Sequence, residues 1–178
     1  LKVESNLEGL DVSALRCAVL TVSDTRTAAN DTSGDLLVNL LEADGHRLTD
    51  RALTRDDIYQ IRAVVSRWIA DPDVDVILST GGTGFTGRDS TPEALIPLFD
   101  KTILGFGELF REVSYAEIGA STIQSRAVGG LANATLIFAL PGSGNAVKTG
   151  WDKILHFQLD AKFRPCNFVE LLPRLRER

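Results

Sequence analysis

Residues 79–92, Ser-Thr-Gly-Gly-Thr-Gly-Phe-Thr-Gly-Arg-Asp-Ser-Thr-Pro, gather hydroxyls, bare backbone, one arginine and one carboxylate in a single stretch. They follow a short apolar run, residues 74–78, with the pattern of a buried strand. A strand that empties into Gly81-Gly82-Thr83-Gly84 offers a row of backbone N–H groups with little side-chain bulk over them. Such a concavity suits a phosphate or another anion. Arg88 adds a cation beside it. Asp89 adds a carboxylate able to hold Mg²⁺ against phosphate oxygens. These residue types together point to phosphate chemistry.

Other readings of the same residues compete with this one. Gly82-Thr83-Gly84-Phe85-Thr86-Gly87 matches the Gly-x-Gly-x-x-Gly dinucleotide pattern, which alone would make the chain a nicotinamide-binding oxidoreductase. That motif opens a helix in the first strand–helix unit, whereas here it follows the third strand and runs on as loop through Pro92. The Lys-Ser/Thr ending of a Walker A loop is also missing. A tight turn without a ligand does not call for four glycines among seven residues. Asp89 would serve equally as the cap of the next helix. Asp56 stands at a strand-to-helix junction where Asp commonly caps. Lys148 is open to two readings, a phosphate contact or a solvated helix residue.

The elements that must position these groups alternate. A first strand is predicted at Cys17–Val22, then a helix capped near Asp31 with Leu36, Leu37, Leu40 and Leu41 on one face and Gly45 as its stop. A half-buried strand follows over 48–53. A second helix, capped by Asp56 or Asp57, carries Ile58, Ile61, Val64, Val65, Trp68 and Ile69 at helical spacing. The strand over 74–79 leads into the glycine loop. Helices are predicted over 93–99 and over part of 105–118, while 119–134 gives no clear element. Residues 136–140 read as the clearest buried strand, broken by Pro141-Gly142-Ser143-Gly144. Asn145 is expected to cap a helix with Val147, Trp151, Ile154, Leu155 and Leu159 inward. The pattern implies a three-layer α/β/α sandwich around a mostly parallel sheet. In such sheets ligands bind beyond the carboxyl ends of the strands. Loops at Ser23, Gly81–Gly84 and Pro141–Ser143 leave strands at that one edge.

The chain has 178 residues, 44% of them hydrophobic and 24% charged, with a net charge of −5. It is expected to form one domain over 1–178, with an N-terminal extension over 1–15 and a C-terminal tail over 164–178. No basic footprint points to nucleic acid. No apolar run reaches the roughly 20 residues of a membrane span, and the first residues lack a signal-peptide pattern. Two distant cysteines, Cys17 and Cys166, are expected as reduced thiols, which places the protein in the cytoplasm. His46 and His156, the only histidines, are each expected as a surface or partly packed residue, and two histidines give no expectation of a His-based zinc site.

Several motifs in order carry a resemblance. Thr80-Gly-Gly-Thr-Gly84, Arg88-Asp89, Thr91-Pro92-Glu93-Ala94, Gly105-Phe106-Gly107-Glu108, Ser125-Arg126 and Leu140-Pro141-Gly142-Ser143 resemble the MoaB/MogA family of molybdenum cofactor biosynthesis. Gln158-Leu159-Asp160-Ala161 and Arg164-Pro165-Cys166-Asn167-Phe168 are similar to its MoaB branch. The resemblance runs from about Arg16 to Phe168. It implies an α/β/α fold that binds molybdopterin and ATP with Mg²⁺, and adenylylation of molybdopterin with release of pyrophosphate. It implies homotrimers or homohexamers, and contact with other cofactor-biosynthesis proteins. Carried over by position, the family's essential aspartates, catalytic and metal-binding, fall on Asp56 and Asp89. Its phosphate- and pterin-binding loop falls on Gly81, Gly82, Thr83 and Gly84, beside Arg88. Further contacts fall on Ser23 and on Pro141, Gly142 and Ser143. Asn145 stands where many relatives carry lysine, and Arg55 where many carry proline. The lost lysine favours an alternative, a non-catalytic molybdopterin binder or scaffold. Phe106, Leu109 and Phe110 could supply an oligomer interface or a core.

Overall fold

β1 (Arg16–Val22) alternates its side chains between two apolar clusters: Cys17 and Val19 enter one, Ala18, Leu20 and Val22 the other. A strand buried on both faces is the mark of the middle layer in an α/β/α sandwich. The structure, a computed structural model, describes residues 14–175. Residues 1–13 of the expected N-terminal extension and 176–178 of the expected tail lie outside them.

The six-stranded sheet has the order β2-β1-β3-β6-β5-β4. It joins β1 to β2 (Arg47–Thr54), β3 (Val76–Thr80), β4 (Lys101–Thr102), β5 (Val128–Ala132) and β6 (Thr135–Leu140). β2, β1, β3 and β6 run parallel. β5 is antiparallel to β6, and β4 to β5. The mostly parallel sheet expected from the alternation is therefore present.

α1 (Thr32–Ala43) packs Leu37 and Leu41 on one face of the sheet, with α4 (Leu104–Ile118) and α5 (Gly144–Gly150). α2 (Ile58–Ala70) and α3 (Thr91–Leu95) cover the other with Ile61, Val65, Trp68, Ala94 and Leu95. Asp31 caps α1, accepting from the Gly34 N–H at 3.0 Å. It also accepts the Thr21 hydroxyl at 2.7 Å and Arg51 at 2.8 Å, so this almost fully buried carboxylate is paired. Gly45, at φ +84°, ends α1 in the left-handed conformation predicted for it.

Several expectations shift. The helix expected over 93–99 is α3 followed by a 3₁₀ turn, Ile96–Leu98, because Pro97 removes a backbone donor. Residues 119–134 fold as a 3₁₀ turn, Gly119–Gln124, and then β5. The β5–β6 turn is Asn133-Ala134, both at positive φ, a primed hairpin turn without the glycine that usually announces one. Ser143, not Asn145, caps α5, accepting from the Ala146 N–H at 3.2 Å. α5 continues through a π turn, Trp151–Leu155, into α6 (His156–Gln158).

Phe106 and Phe110 are core residues; of the proposed interface residues only Leu109 is well exposed. His46 is buried, with Nδ1 accepting the Leu15 N–H at 3.3 Å and its ring against Trp151. Cys17 is buried, which pushes its thiol up to about 12, and Cys166 is exposed; the two are unbridged. Among the described residues no helix is long and apolar enough to cross a membrane.

Candidate functional site

Because β1, β2, β3 and β6 are parallel, their carboxyl ends deliver Ser23, Asp56, Gly81 and Pro141 to one edge. There the chain encloses a cleft of ≈ 680 Å³. Of the candidate site residues named from the sequence, all but Lys148 line it. Ser23 enters from β1 and Asp56 from beyond β2. Gly81–Gly84, Arg88 and Asp89 come from the loop after β3, and Pro141–Ser143 from the turn after β6.

The start of the glycine loop, Gly81-Gly82, is threaded through a space with no room for side chains, whereas Gly87 stands in the open. Gly81 sits at φ +97°, and a Cβ there would lie 2.1 Å from the Val22 carbonyl oxygen. Gly82, at φ +66°, would put a Cβ 2.3 Å from Thr91 Oγ1 and 2.6 Å from Asp56 Oδ2. The loop is pinned at both ends. The Gly81 N–H donates to Leu140 O at 3.0 Å, and the Thr91 hydroxyl donates to Gly81 O at 2.9 Å. No helix opens within residues 82–87, since α3 begins at Thr91, so the nested dinucleotide pattern does not form its motif here.

The two aspartates are held differently. Asp57, not Asp56, caps α2, accepting from the Tyr59 and Gln60 N–H groups at 3.0 and 2.9 Å. Asp56 is thereby left for the cleft. Its Oδ1 accepts the Ser90 N–H at 2.9 Å and the Ser90 hydroxyl at 2.6 Å, while Oδ2 lies beside Gly82. Asp89 does not cap α3. It turns back into the loop, where Oδ2 accepts the Thr86 N–H at 2.8 Å and hydroxyl at 2.6 Å. The Thr86 hydroxyl leads in holding this carboxyl below the usual carboxylate range, so it stays ionised.

The sequence reading gave no role to three groups that shape the site. Asp24 grips Arg88 through both carboxylate oxygens, at 2.7 and 2.8 Å, and accepts the Asp56 N–H at 3.3 Å. The Arg88 guanidinium holds the Asp24 carboxyl below its ordinary range. Arg126 straps the glycine loop from outside, donating to Gly84 O at 2.8 Å, Asp89 O at 3.0 Å and Thr83 O at 3.4 Å. It also pairs with Glu93 and lies over the Phe85 ring at 5.0 Å. Glu117 stands on the far wall, built by α4 and the turn after it. Lys148, a candidate replacement for the family lysine, lines only an adjoining cavity of ≈ 260 Å³ and pairs with Asp152 at 2.5 Å.

Lysine can make neither the fork nor the stack that Arg126 makes. Arg126→Lys is expected to weaken anionic ligand binding in the cleft about 10–100-fold and to lower stability by about 1–3 kcal/mol. Titration calorimetry and urea unfolding would check the pair. Unchanged affinity would mean that the strap does not set the loop.

The chain matches a family model described as "Probable molybdopterin binding domain" over residues 18–161. The chain belongs to this molybdopterin-binding family. It is 56% identical over 153 residues to molybdenum cofactor biosynthesis protein B of Escherichia coli (strain K12), covering 86% of this chain and 90% of that protein. A crystal structure of a molybdenum cofactor biosynthesis protein B superposes with TM-score 0.81 at 44% identity, over 84% of this chain and 94% of the other. The tungsten cofactor synthesizing protein MoaB of Pyrococcus furiosus superposes with TM-score 0.72 at 37% identity, over 80% and 91%. The protein therefore carries the molybdopterin-binding fold and belongs to molybdenum cofactor biosynthesis.

Among the described residues no group of three or more His, Cys, Asp or Glu side chains is placed to hold a metal. Mg²⁺ is commonly held by one or two carboxylates together with waters and substrate phosphates. In this molybdopterin-binding fold Asp56 Oδ2 and the Asp89 carboxylate, beside a loop of backbone donors, fit that requirement.

Proposed function

We infer that this chain adenylylates molybdopterin: an oxygen of the molybdopterin phosphate attacks the α-phosphorus of ATP, the bond to the β-phosphate breaks, and pyrophosphate leaves. The observation that carries this reading is the placement of two carboxylates on one glycine loop, Asp56 beside Gly82 and Asp89 beside Gly84, both lining the cleft. Two anionic phosphates must meet, and positioning with charge neutralisation does most of such work. The loop N–H groups and the N-terminal turn of α5 at Ser143 orient phosphate oxygens. Asp56 and Asp89 would hold Mg²⁺, which when bound offsets the charge on the phosphates. Arg88, released from Asp24, would meet phosphate oxygens directly. No side-chain nucleophile is required, and among the described residues no Cys or His lines the cleft.

A second reading, a molybdopterin binder without turnover, draws on Asn145. It lines the cleft where a lysine would supply a cation, and Lys148 faces elsewhere.

Pyrophosphate release from Mg-ATP, measured with and without molybdopterin on wild type and Asp89→Asn, separates the two. Molybdopterin-dependent release, lost about 100-fold or more in the variant, is expected. Saturable molybdopterin binding without release would establish the binder. An Asp89→Asn turnover within about twofold of wild type would remove Asp89 from the metal site.

A further inference from the structure

Glu117 lies in the last turn of α4, a helix with no basic residue there. The negative end of the helix dipole disfavours a carboxylate at that position. A locally unfavourable charge retained in a binding cleft calls for a reason beyond folding. Its surroundings supply one. Thr149, buried on α5, donates its hydroxyl to both Glu117 oxygens at 2.9 and 2.9 Å. One hydroxyl proton shared between two oxygens fixes the carboxylate and leaves most of its lone pairs free for a ligand.

The cleft is chemically divided. Its sheet-edge end carries the glycine loop, Asp56, Asp89 and Arg88. Its other wall carries Phe110, Ile118, Ser114, Gln124 and Glu117, an apolar and hydrogen-bonding surface whose one formal charge among the described residues is Glu117. Thr149 follows the α5 cap, Ser143, by six positions, or about 9 Å at helical rise. That is of the order of a fused-ring pterin with its phosphate arm. A pterin carries a 2-amino group next to N3–H, two parallel donors that match the two oxygens of a carboxylate as a guanidinium does.

Resting on the cleft as the molybdopterin site, we propose that Glu117, fixed by Thr149, reads the aminopyrimidinone edge of the pterin and sets it apart from adenine. Adenine offers one amino donor beside an acceptor nitrogen, so the same carboxylate turns the ATP base away from this wall. Glu117 is a specificity residue, and Thr149 a positioning residue acting through it.

The test is fluorescence titration of the full chain with 6-hydroxymethylpterin phosphate, with its lumazine counterpart bearing oxygen in place of the 2-amino group, and with ATP. Wild type is expected to prefer the pterin by about 10–100-fold. Glu117→Gln is expected to erase that preference through loss of pterin affinity, while ATP binds at least as tightly as to wild type. Thr149→Val, nearly isosteric, is expected to lose about 3–10-fold in pterin affinity only. A Gln variant that keeps the preference, or a wild type that binds both rings equally, overturns the assignment of Glu117 and leaves the pterin cleft standing. A wild type that binds neither ring overturns the assignment and the reading of the cleft together.

Discussion

Gly81→Ala is expected to cost the fold about 2–5 kcal/mol, lowering the melting temperature by roughly 5–15 °C. The reason is geometric. A left-handed backbone disfavours any Cβ, and this one would sit 2.1 Å from the carbonyl oxygen of Val22, the last residue of β1. No rotamer change relieves an overlap with backbone, so β1 and β3 must separate at the edge where the cleft begins. Gly82→Ala meets side-chain atoms instead, Thr91 Oγ1 at 2.3 Å and Asp56 Oδ2 at 2.6 Å. Side chains can swing aside, so stability should fall by only about 1–2 kcal/mol. Asp56 is one of the two groups displaced, so the larger loss, tenfold or more, is expected in binding Mg-ATP. Thermal unfolding beside ligand titration would separate the two glycines. A Gly82→Ala protein that binds as wild type would show that Asp56 does not face the ligand.

The contrast explains what the sequence could and could not disclose. The glycine loop was legible because the residues that fill it are defined by what they lack. Small residues after a buried strand mark close approach without any knowledge of what approaches. The alternation of apolar strands and helices likewise fixed the layers, since a parallel sheet must be covered on both faces. β5 was hidden for the opposite reason. Its Val-Gly-Gly-Leu-Ala sequence has poor strand propensity, but the Phe99 ring occupies the place where a Cβ at Gly130 would sit, and Phe138 and Phe106 crowd the place of one at Gly129, at 3.0 and 3.1 Å. Tertiary packing decided that strand. Asp56 and Asp57 are indistinguishable as neighbours in sequence, and only the geometry of the α2 N-terminus assigns the cap to one. Arg126 acts on residues 83, 84 and 89, more than 35 positions away along the chain, through backbone oxygens that no side-chain pattern records. Glu117 alone left a trace, an acid at a helix C-terminus.

The neighbouring aspartates offer the sharpest test of the site. Asp56→Asn is expected to lower molybdopterin-dependent pyrophosphate release by about 10²–10³ while barely moving the melting temperature. The amide oxygen can still accept from Ser90, which holds α3 in place, so the fold loses little. What disappears is the negative charge beside Gly82, and with it the attraction for a divalent ion among phosphates. Asp57→Asn is the matched control, because asparagine caps a helix about as well as aspartate and residue 57 does not line the cleft. Turnover in that variant should stay within about twofold of wild type. The measurement is steady-state release at several Mg²⁺ concentrations. A metal role further requires that the apparent Mg²⁺ requirement of Asp56→Asn rise along with the fall in rate. A rate loss at unchanged Mg²⁺ requirement would instead assign Asp56 to orienting Ser90 and the start of α3, and would leave Asp89 as the carboxylate that meets the ion.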